Sequence, residues 1–405
     1  MAANPSLGTL LAIALVAAGA PIIVGMFPRL HLPQVVVFLI GGVIIGPHVL
    51  GWAEPLSVAP FVNLGLGFLF LLAGYELDFG ALRAAPGRLA IIGWLVSLSL
   101  SLGVVGLLAA TGFVHAFVPV ALALTTTALG ILLPILHENH LLGGPFGDRV
   151  VAAGAVGEFF PIVAIAVFLS AKGQFVGLVS LLVVALAAVL LSYAPRIFRR
   201  GRVGQITLAG ENSTTQTTLR WTILMLLFLL VIANQFGLDV VLGAFLAGGV
   251  LRRWAPGDTE RLDAKLDAIG YGFFIPIFFV AAGMSLDLAS IGRSPGRVLA
   301  FLVLLLIVRG LPAVVIYRRS LSWRERFQMT LLSATSLPLL VALSEIGLAN
   351  GTMLPENAAA LVGAGVLSVL IYPALALALA IRGPGEPSAT GTPPEPHDTS
   401  IQEEP

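Results

Sequence analysis

The sequence predicts an all-α integral membrane protein, because its composition is strongly apolar and its apolar residues form long runs. Of its 405 residues, 58% are hydrophobic and 11% are charged, whereas soluble globular proteins average about 45–50% and about 25%. A membrane-spanning helix needs about 20 apolar residues, so the chain has room for about a dozen spans with short loops. This excludes sizeable soluble domains, and the lack of cysteine excludes disulfides and thiolate metal sites.

We predict thirteen membrane-spanning helices from the apolar runs that charges, proline and glycine interrupt. The first run follows no basic segment and precedes twelve more runs, so it is interpreted as a retained span and not as a signal peptide. The predicted spans, numbered 1 to 13, are residues 6–27, 32–50, 60–77, 88–111, 115–136, 147–171, 175–194, 219–235, 238–251, 266–285, 297–317, 327–348 and 357–381.

The basic residues predict the orientation of these spans, because cytoplasmic loops collect lysine and arginine. With loops on alternate sides, eighteen of the 22 Lys and Arg residues fall on one side. The other side holds Lys172, Arg293 and Arg297, and Arg309 lies within span 11. We therefore expect a multi-pass protein of the inner or plasma membrane, with the N-terminus outside and the C-terminus in the cytoplasm.

An internal repeat relates the two halves of the chain at a common spacing of 209 residues. The matching positions are Gly74 with Gly283, Asp78 with Asp287, residues 86–88 with 295–297, and Gly154 with Gly363. The repeat pairs spans 1–6 with spans 8–13 and leaves span 7 as a connector. Because equivalent spans are seven apart, they cross the membrane in opposite directions. Inverted repeats are typical of secondary transporters; duplication kept only for packing is the alternative.

Spans 5 and 12 each contain a polar stretch, which predicts two crossing broken helices. Span 5 carries Thr125, Thr126 and Thr127, and span 12 carries Thr335 and Ser336. Unwound segments offer hydroxyls, backbone carbonyls and the partial charges of helix ends, which suit a small dehydrated ion. Alternatively, the hydroxyls bond back to their own helices and nearby prolines only kink them.

Ionisable side chains within a span cost at least about 2.5–3.5 kcal/mol each, which makes them functional candidates. Glu158 in span 6 and Arg309 in span 11 map onto Leu367 and Leu100 in the other half of the repeat. They are therefore additions to the shared scaffold. A carboxylate holds either a proton or a cation, so Glu158 is the predicted ion carrier. A salt bridge that only locks Glu158 to Arg309 is the alternative. Glu345, near the end of span 12, is interpreted as a solvated or capping group.

Arg309 limits the predicted chemistry, because arginine keeps its proton under working conditions. One titrating carboxylate together with a fixed positive charge predicts electroneutral exchange of one proton for one monovalent cation.

The remaining features predict what the chain does not bind. We expect no cofactor, no nucleic acid and no structural metal site, since no spacing of His, Asp or Glu supports one. Residues 383–405 are rich in Pro, Gly and acids, which predicts a disordered cytoplasmic tail. That tail lacks the pattern of a strand, a Gly-rich loop and a helix that binds nucleotides. We therefore expect no nucleotide-binding domain in this chain.

Five motifs occur in order along the chain: LPQVVVFLIGGVIIGPHVLG, LGLGFLFLLAGYELD, TTTAL, VLGAFLAGGVL and IPIFFVAAGMSLDL. Together they resemble the monovalent cation:proton antiporter-2 family, the sodium/proton and potassium/proton exchangers of the Kef type. Within this resemblance Glu158 aligns with the family's essential aspartate, Arg309 with its basic residue, and Thr126 and Thr127 with its Ser-Thr pair. Family members usually carry Asp-Asp, Asn-Asp or Gln-Asp where this chain has Gly157 and Glu158.

The resemblance also implies a domain organisation, with residues 1–382 as a single transport domain that forms a homodimer. A core of spans 4–6 and 11–13, residues 88–171 and 297–381, moves as an elevator against a dimerisation domain. That domain consists of spans 1–3 and 8–10, residues 6–77 and 219–285, and the linker is span 7, residues 175–194.

Taken together, the residues and the resemblance predict a lipid-embedded antiporter, not an enzyme, that exchanges Na⁺ or K⁺ for protons through Glu158. The second hypothesis is a symporter or uniporter of another small solute on the same fold, with a structural Glu158–Arg309 pair. The third is a membrane sensor that does not transport.

Overall fold

The structure, a computed structural model, describes residues 5–26, 33–76, 85–142, 144–168, 174–198, 216–238, 240–254, 260–286, 292, 295–349 and 351–381. Its regular elements in these ranges are all helical. This confirms the predicted all-α class and reflects the fact that a helix satisfies its own backbone hydrogen bonds in a bilayer. The predicted tail, residues 383–405, and the repeat residues Asp78 and Asp287 lie outside the described residues.

The helices follow the predicted spans closely. They are α1 Pro5–Met26, α2 Gln34–Ile45, α3 Ala59–Glu76, α4 Ala85–Ala110, α5 Phe117–Ala123, α6 Leu129–Glu138, α7 Pro145–Phe168, α8 Gln174–Phe198, α9 Thr217–Gln235, α10 Val240–Trp254, α11 Glu260–Ile269, α12 Ile275–Met284, α13 Pro295–Leu305, α14 Leu311–Ile316, α15 Trp323–Ser333, α16 Pro338–Ala349 and α17 Pro355–Ile381. A 3₁₀ turn, Pro55–Val58, leads into α3.

In the described ranges, ten helical stretches are long and apolar enough to cross a membrane. The prediction of a multi-pass membrane protein is therefore confirmed. The other predicted spans correspond to shorter elements, namely α2 with 12 residues, α10 with 15 residues, and the divided pair α5 and α6. The count of thirteen spans stays a prediction.

Two pairs of helices, α2 with α12 and α3 with α10, pack backbone to backbone through glycines. A Cβ atom on any of these glycines would overlap the facing carbonyl oxygen. The glycines and the residues that they face are Gly42 with Val280, Gly283 with Leu39, Gly74 with Phe245, and Gly248 with Leu71. We call these the glycine contacts. They join segments of the two halves in matching ways, and they hold the first half tightly against the second.

Two helical spans are interrupted inside the bundle. The chain leaves the helix at residues 124–128, between α5 and α6, and at residues 334–337, between α15 and α16. At the first break the hydroxyl of Thr126 donates to the Ala123 carbonyl at 2.7 Å, which caps the end of α5. At the second, Pro338 begins α16 and suits a first helical position because it has no N–H to donate. These interruptions lie in the predicted spans 5 and 12.

Spans 10 and 11 each contain a π-helical turn, Gly270–Phe274 and Leu306–Gly310. A proline follows each turn, Pro276 and Pro312. Because proline donates no backbone hydrogen bond, the carbonyl four residues earlier lacks its usual partner, and a wider turn relieves the clash with the ring. The second of these turns carries Arg309 into the interior.

Candidate functional site

The two breaks contact each other directly. The backbone N–H of Ala128 donates to the carbonyl of Thr335 at 2.9 Å. The hydroxyl of Thr127 donates to the carbonyl of Ser333 at 2.6 Å. Both bonds run from the first break to the second or to the helix end beside it. The structure therefore brings the two polar stretches of spans 5 and 12 together at one crossing, as predicted from the sequence.

A pair of hydroxyls lies at the centre of this crossing. The Oγ1 atom of Thr126 and the Oγ atom of Ser336 are 2.5 Å apart, and both side chains are buried. Since Thr126 already donates its proton to Ala123, Ser336 donates to Thr126. Oxygen lone pairs from both breaks thus converge in a region shielded from solvent.

The other two predicted hydroxyls bond to their own helices. Thr125 donates to the carbonyl of Leu122 at 2.7 Å, and Thr335 donates to that of Leu331 at 3.1 Å. The alternative interpretation of these polar stretches, back-bonding within a helix, describes these two side chains. Thr335 still takes part in the crossing through its backbone carbonyl.

Glu158 lies in the middle of α7 with 6% of its surface exposed. Its carboxylate accepts a hydrogen bond from the backbone N–H of Leu129, the first residue of α6. The N-terminal end of a helix carries partial positive charge, which favours an anionic group there. In addition, the N–H of Thr127 donates to the carbonyl of Gly157 at 3.0 Å. The carboxylate is therefore held beside the crossing by contacts on either side of the first break.

Arg309 reaches the same crossing from another direction. Its Nε donates to the hydroxyl of Thr127 at 2.8 Å, and its Nη2 donates to the carbonyl of Ala153 at 2.8 Å. No ion pair between the guanidinium of Arg309 and the carboxylate of Glu158 is found among the described residues. The guanidinium thus braces the first break against α7, and the hypothesised salt bridge with Glu158 is not formed in this geometry.

Gly157, next to the carboxylate, gives the guanidinium its space. A Cβ atom at this position would lie 2.5 Å from Nη2 of Arg309 and 2.6 Å from Oγ1 of Thr127. At this position the cation:proton antiporter-2 family, which the sequence resembles, usually has a polar side chain instead of a glycine. The arginine occupies the volume that such a side chain would need.

Sequence reasoning missed Ser368 of α17, which binds the second break. Its Oγ accepts a hydrogen bond from the N–H of Ser336 at 3.1 Å, and it lies 2.9 Å from the carbonyl oxygen of the same residue. A single serine in an apolar span carries no distinctive signal, since such hydroxyls commonly bond within their own helix.

A second missed group is Glu76, the last residue of α3. Its carboxyl group interacts electrostatically with that of Glu158, and also with Asp263 and Asp267 of α11. The hydroxyl of Tyr75 donates to Asp263 at 2.6 Å. These acids extend negative charge from the end of α3 toward Glu158. The sequence signal for this acid is the acidic pair in YELD, a stretch that otherwise serves as a family motif.

A family model described as sodium/hydrogen exchanger, transmembrane, matches residues 12–378. The chain belongs to this family. Its members are secondary transporters and not enzymes, in agreement with the prediction. The resemblance to cation:proton antiporters is thereby confirmed at the level of the family, and the narrower Kef type stays a prediction.

Individual relatives support the same assignment. The chain is 28% identical over 399 residues to YjbQ of Bacillus subtilis, whose name marks it as a candidate Na⁺/H⁺ antiporter, and the match covers 92% of this chain. It is 27% identical over 337 residues to K⁺/H⁺ antiporter 1 of Saccharomyces cerevisiae, with 74% of this chain covered. The matches span only 62% and 38% of these relatives' own lengths.

A solved structure shares the fold. The sodium proton antiporter MjNhaP1 of Methanocaldococcus jannaschii superimposes with a TM-score of 0.62, and the match covers 91% of this chain and 97% of the antiporter's own chain. The two sequences are 18% identical. The likeness therefore concerns the arrangement of the helices, and the chemistry must be argued from the residues of this chain.

Proposed function

We propose that this chain is a secondary active antiporter that exchanges a monovalent cation, Na⁺ or K⁺, for protons through Glu158. The observation that carries the proposal is the position of a buried carboxylate beside two crossing helix breaks, where the hydroxyls of Thr126 and Ser336 meet at 2.5 Å. A monovalent cation is supported by two findings. The chain belongs to the sodium/hydrogen exchanger family, and its relatives include proteins named as Na⁺/H⁺ and K⁺/H⁺ antiporters.

The carboxylate acts by holding one ion at a time. When Glu158 is ionised, its oxygens, the hydroxyl oxygens of the crossing and the nearby carbonyls replace water around a cation. When Glu158 is protonated, the charge that holds the cation is gone and the cation leaves. Because either occupant neutralises the same carboxylate, the site crosses the membrane loaded with a proton or with a cation.

Arg309 sets the stoichiometry in this proposal. Its bonds to Thr127 and Ala153 hold the guanidinium in place without using Glu158, and arginine does not release its proton. The net charge of the site is then the same with a cation as with a proton, and one-for-one exchange is electroneutral. The competing hypothesis of a purely structural Glu158–Arg309 pair receives no support from these contacts.

An elevator movement of the core is part of the proposal. Glu158 lies where α7, of the predicted core, meets the predicted dimerisation group, since the ring of its neighbour Phe159 packs on Phe245 of α10 at 5.5 Å. The glycine contacts support a rigid body for the latter group. Their matching arrangement in the two halves supports the inverted repeat that alternating access requires.

We further propose that the exchanger acts as a homodimer in the inner or plasma membrane, in contact with lipid, with its N-terminus outside. The distribution of basic residues supports the orientation. The resemblance to the cation:proton antiporter-2 family supports the homodimer.

The central test is the substitution Glu158→Gln in the full chain, reconstituted into proteoliposomes. Replacing the carboxylate with a neutral amide should abolish proton movement driven by Na⁺ or K⁺, because the amide neither ionises nor releases a proton. A dye that reports internal pH measures the exchange. The matched control is Asp148→Asn, which removes a carboxylate from the exposed first turn of the same helix. Full exchange by Glu158→Gln would contradict the proposal.

Electroneutral exchange is tested by imposing a membrane potential on the same vesicles. The initial rate of exchange should be unchanged between zero potential and about 100 mV of either sign, although one elementary charge crossing that potential would gain or lose about 2.3 kcal/mol. A rate that rises steeply with one sign of potential would rule out one-for-one exchange while leaving Glu158 as the carrier.

A further inference from the structure

A small cavity lies beside Arg309, where α4, α7, α14 and the end of α15 meet. It leaves about 10 Å³ for the centre of a water molecule, and about 10–15 Å³ of such space is enough for one buried water. All the residues that line it are buried, and three of them, Arg309, Tyr317 and Ser333, have polar side chains. The cavity therefore has the size of a single water molecule and has polar groups on its walls.

Tyr317 is the most informative of these residues. It directly follows α14, 2% of its surface is exposed, and its hydroxyl has no hydrogen-bond partner in the described part of the chain. A buried hydroxyl without a partner is destabilising, and in native structures such a group usually indicates a bound water molecule or ion. Because Tyr317 lines the cavity, a water molecule bound there would satisfy this hydroxyl.

Arg309 offers hydrogen-bond donors at the same cavity. Among the described residues, its Nε bonds to Thr127 and its Nη2 to Ala153. A guanidinium carries more N–H groups than these two bonds use, so it can donate to a further acceptor. The positive charge of Arg309 also acts on the Tyr317 hydroxyl, which places the two groups near each other.

We propose that one water molecule in this cavity joins the Tyr317 hydroxyl to the Arg309 guanidinium, so that Tyr317 is a positioning residue for Arg309. The water accepts from the guanidinium and donates to the phenol oxygen, and Ser333 offers a further partner; a buried water typically makes about three such bonds. Since Arg309 bonds to Thr127, the water helps to hold the guanidinium at the crossing. The role in exchange rests on the function proposed above, but the water site does not.

The water is tested by X-ray radiolytic labelling of the purified full-length protein. X-ray pulses convert bound water into hydroxyl radicals that modify the nearest side chains, and mass spectrometry measures the rate at each residue. Tyr372 is the matched control, because it is also buried and its hydroxyl donates to the carbonyl of Leu302 at 2.6 Å. We expect Tyr317 to be modified at least about fivefold faster than Tyr372. Equal rates would overturn the proposal.

Gly93→Ala tests whether the labelling depends on the cavity. A Cβ atom on this buried glycine would have Ile316 as its neighbour at 3.5 Å, an ordinary contact, so the new methyl group fits and occupies the space that Gly93 lines. The labelling rate of Tyr317 should then fall to that of Tyr372. Gly106→Ala in the same helix, whose nearest neighbour would be 3.6 Å away, should leave the rate unchanged. Undiminished labelling in Gly93→Ala would also contradict the proposal.

Tyr317→Phe tests the positioning role, because it removes the hydroxyl and keeps the ring. A loosened Arg309 no longer fixes Thr127, so the cation concentration for half-maximal exchange should rise about threefold, as for one hydrogen-bonding group. The maximal rate per reconstituted protein should stay within about twofold, and Tyr372→Phe should change neither quantity. An unchanged concentration, whether or not the rate falls, would overturn the positioning role. Full exchange by Glu158→Gln would instead contradict the proposed function and leave the labelling result intact.

Discussion

The glycine contacts and the crossing are both places where the two halves of the chain meet, but they meet there in opposite ways. At the glycine contacts, backbones touch without intervening side chains. At the crossing, the halves meet through the hydroxyls of Thr126 and Ser336 and through Arg309, all of them buried. Close backbone packing in a membrane gives dispersion energy and rigidity, whereas unwound backbone is tolerated only where it is enclosed.

The two regions place different demands on the residues where the halves meet. A rigid part needs small residues that allow close approach, and an ion site needs oxygens freed from helical hydrogen bonds. Gly74 serves the first purpose, and in the proposed site Gly157 serves the second, because the space beside it holds the guanidinium of Arg309. Substitutions at these two glycines should therefore have different consequences.

The largest expected effect is on folding, at Gly74. In Gly74→Leu the new side chain would overlap the backbone of Phe245, and overpacking of this kind costs about 1–3 kcal/mol or more. We expect little monodisperse protein by fluorescence-detected size-exclusion chromatography after extraction at moderate temperature. Gly103→Leu in α4 is the control, because nothing lies within 4 Å of a Cβ at that position. Equal yields for the two variants would show that the contact is not tight.

A smaller effect, on transport and not on folding, is expected at Gly157. The methyl group of Gly157→Ala would displace the guanidinium from Thr127, and loss of about 1.4 kcal/mol of stabilisation corresponds to about tenfold in rate. The initial rate of cation-driven proton movement, normalised to the amount of reconstituted protein, measures it. Gly106→Ala is the control, since its nearest neighbour would be 3.6 Å away. An unchanged rate in Gly157→Ala would mean that the position of Arg309 is unimportant.

The smallest effect distinguishes neighbouring hydroxyls within one break. Thr126→Val removes the oxygen that meets Ser336 and should raise the cation concentration for half-maximal exchange about threefold to tenfold, as expected for one hydrogen-bonding group. Thr125→Val keeps the same shape but removes a hydroxyl that bonds only to Leu122, and it should change this concentration less than about twofold. If the two variants behave alike, the crossing of the hydroxyls has no special role.

The site was only partly predictable from the sequence. The polar stretches of spans 5 and 12 were recognisable because serine and threonine are conspicuous in apolar segments, and the structure brings Thr126, Thr127 and Ser336 together. Sequence patterns did not distinguish Thr125, whose hydroxyl turns back to its own helix. They also gave no indication of Ser368, because the side that a lone hydroxyl faces depends on the rotation of its helix.

By itself, the sequence determined the membrane class, the family and the two charges that interrupt the apolar core, since hydropathy and motifs are local properties of the chain. Only the tertiary structure decided the partners of those charges. It places the Glu158 carboxylate at the start of α6, and it turns Arg309 toward Thr127 and Ala153. The physical reason is that a buried charge bonds whatever polar groups lie within about 3 Å, and these come from segments far apart in sequence whose depth and rotation are fixed by packing.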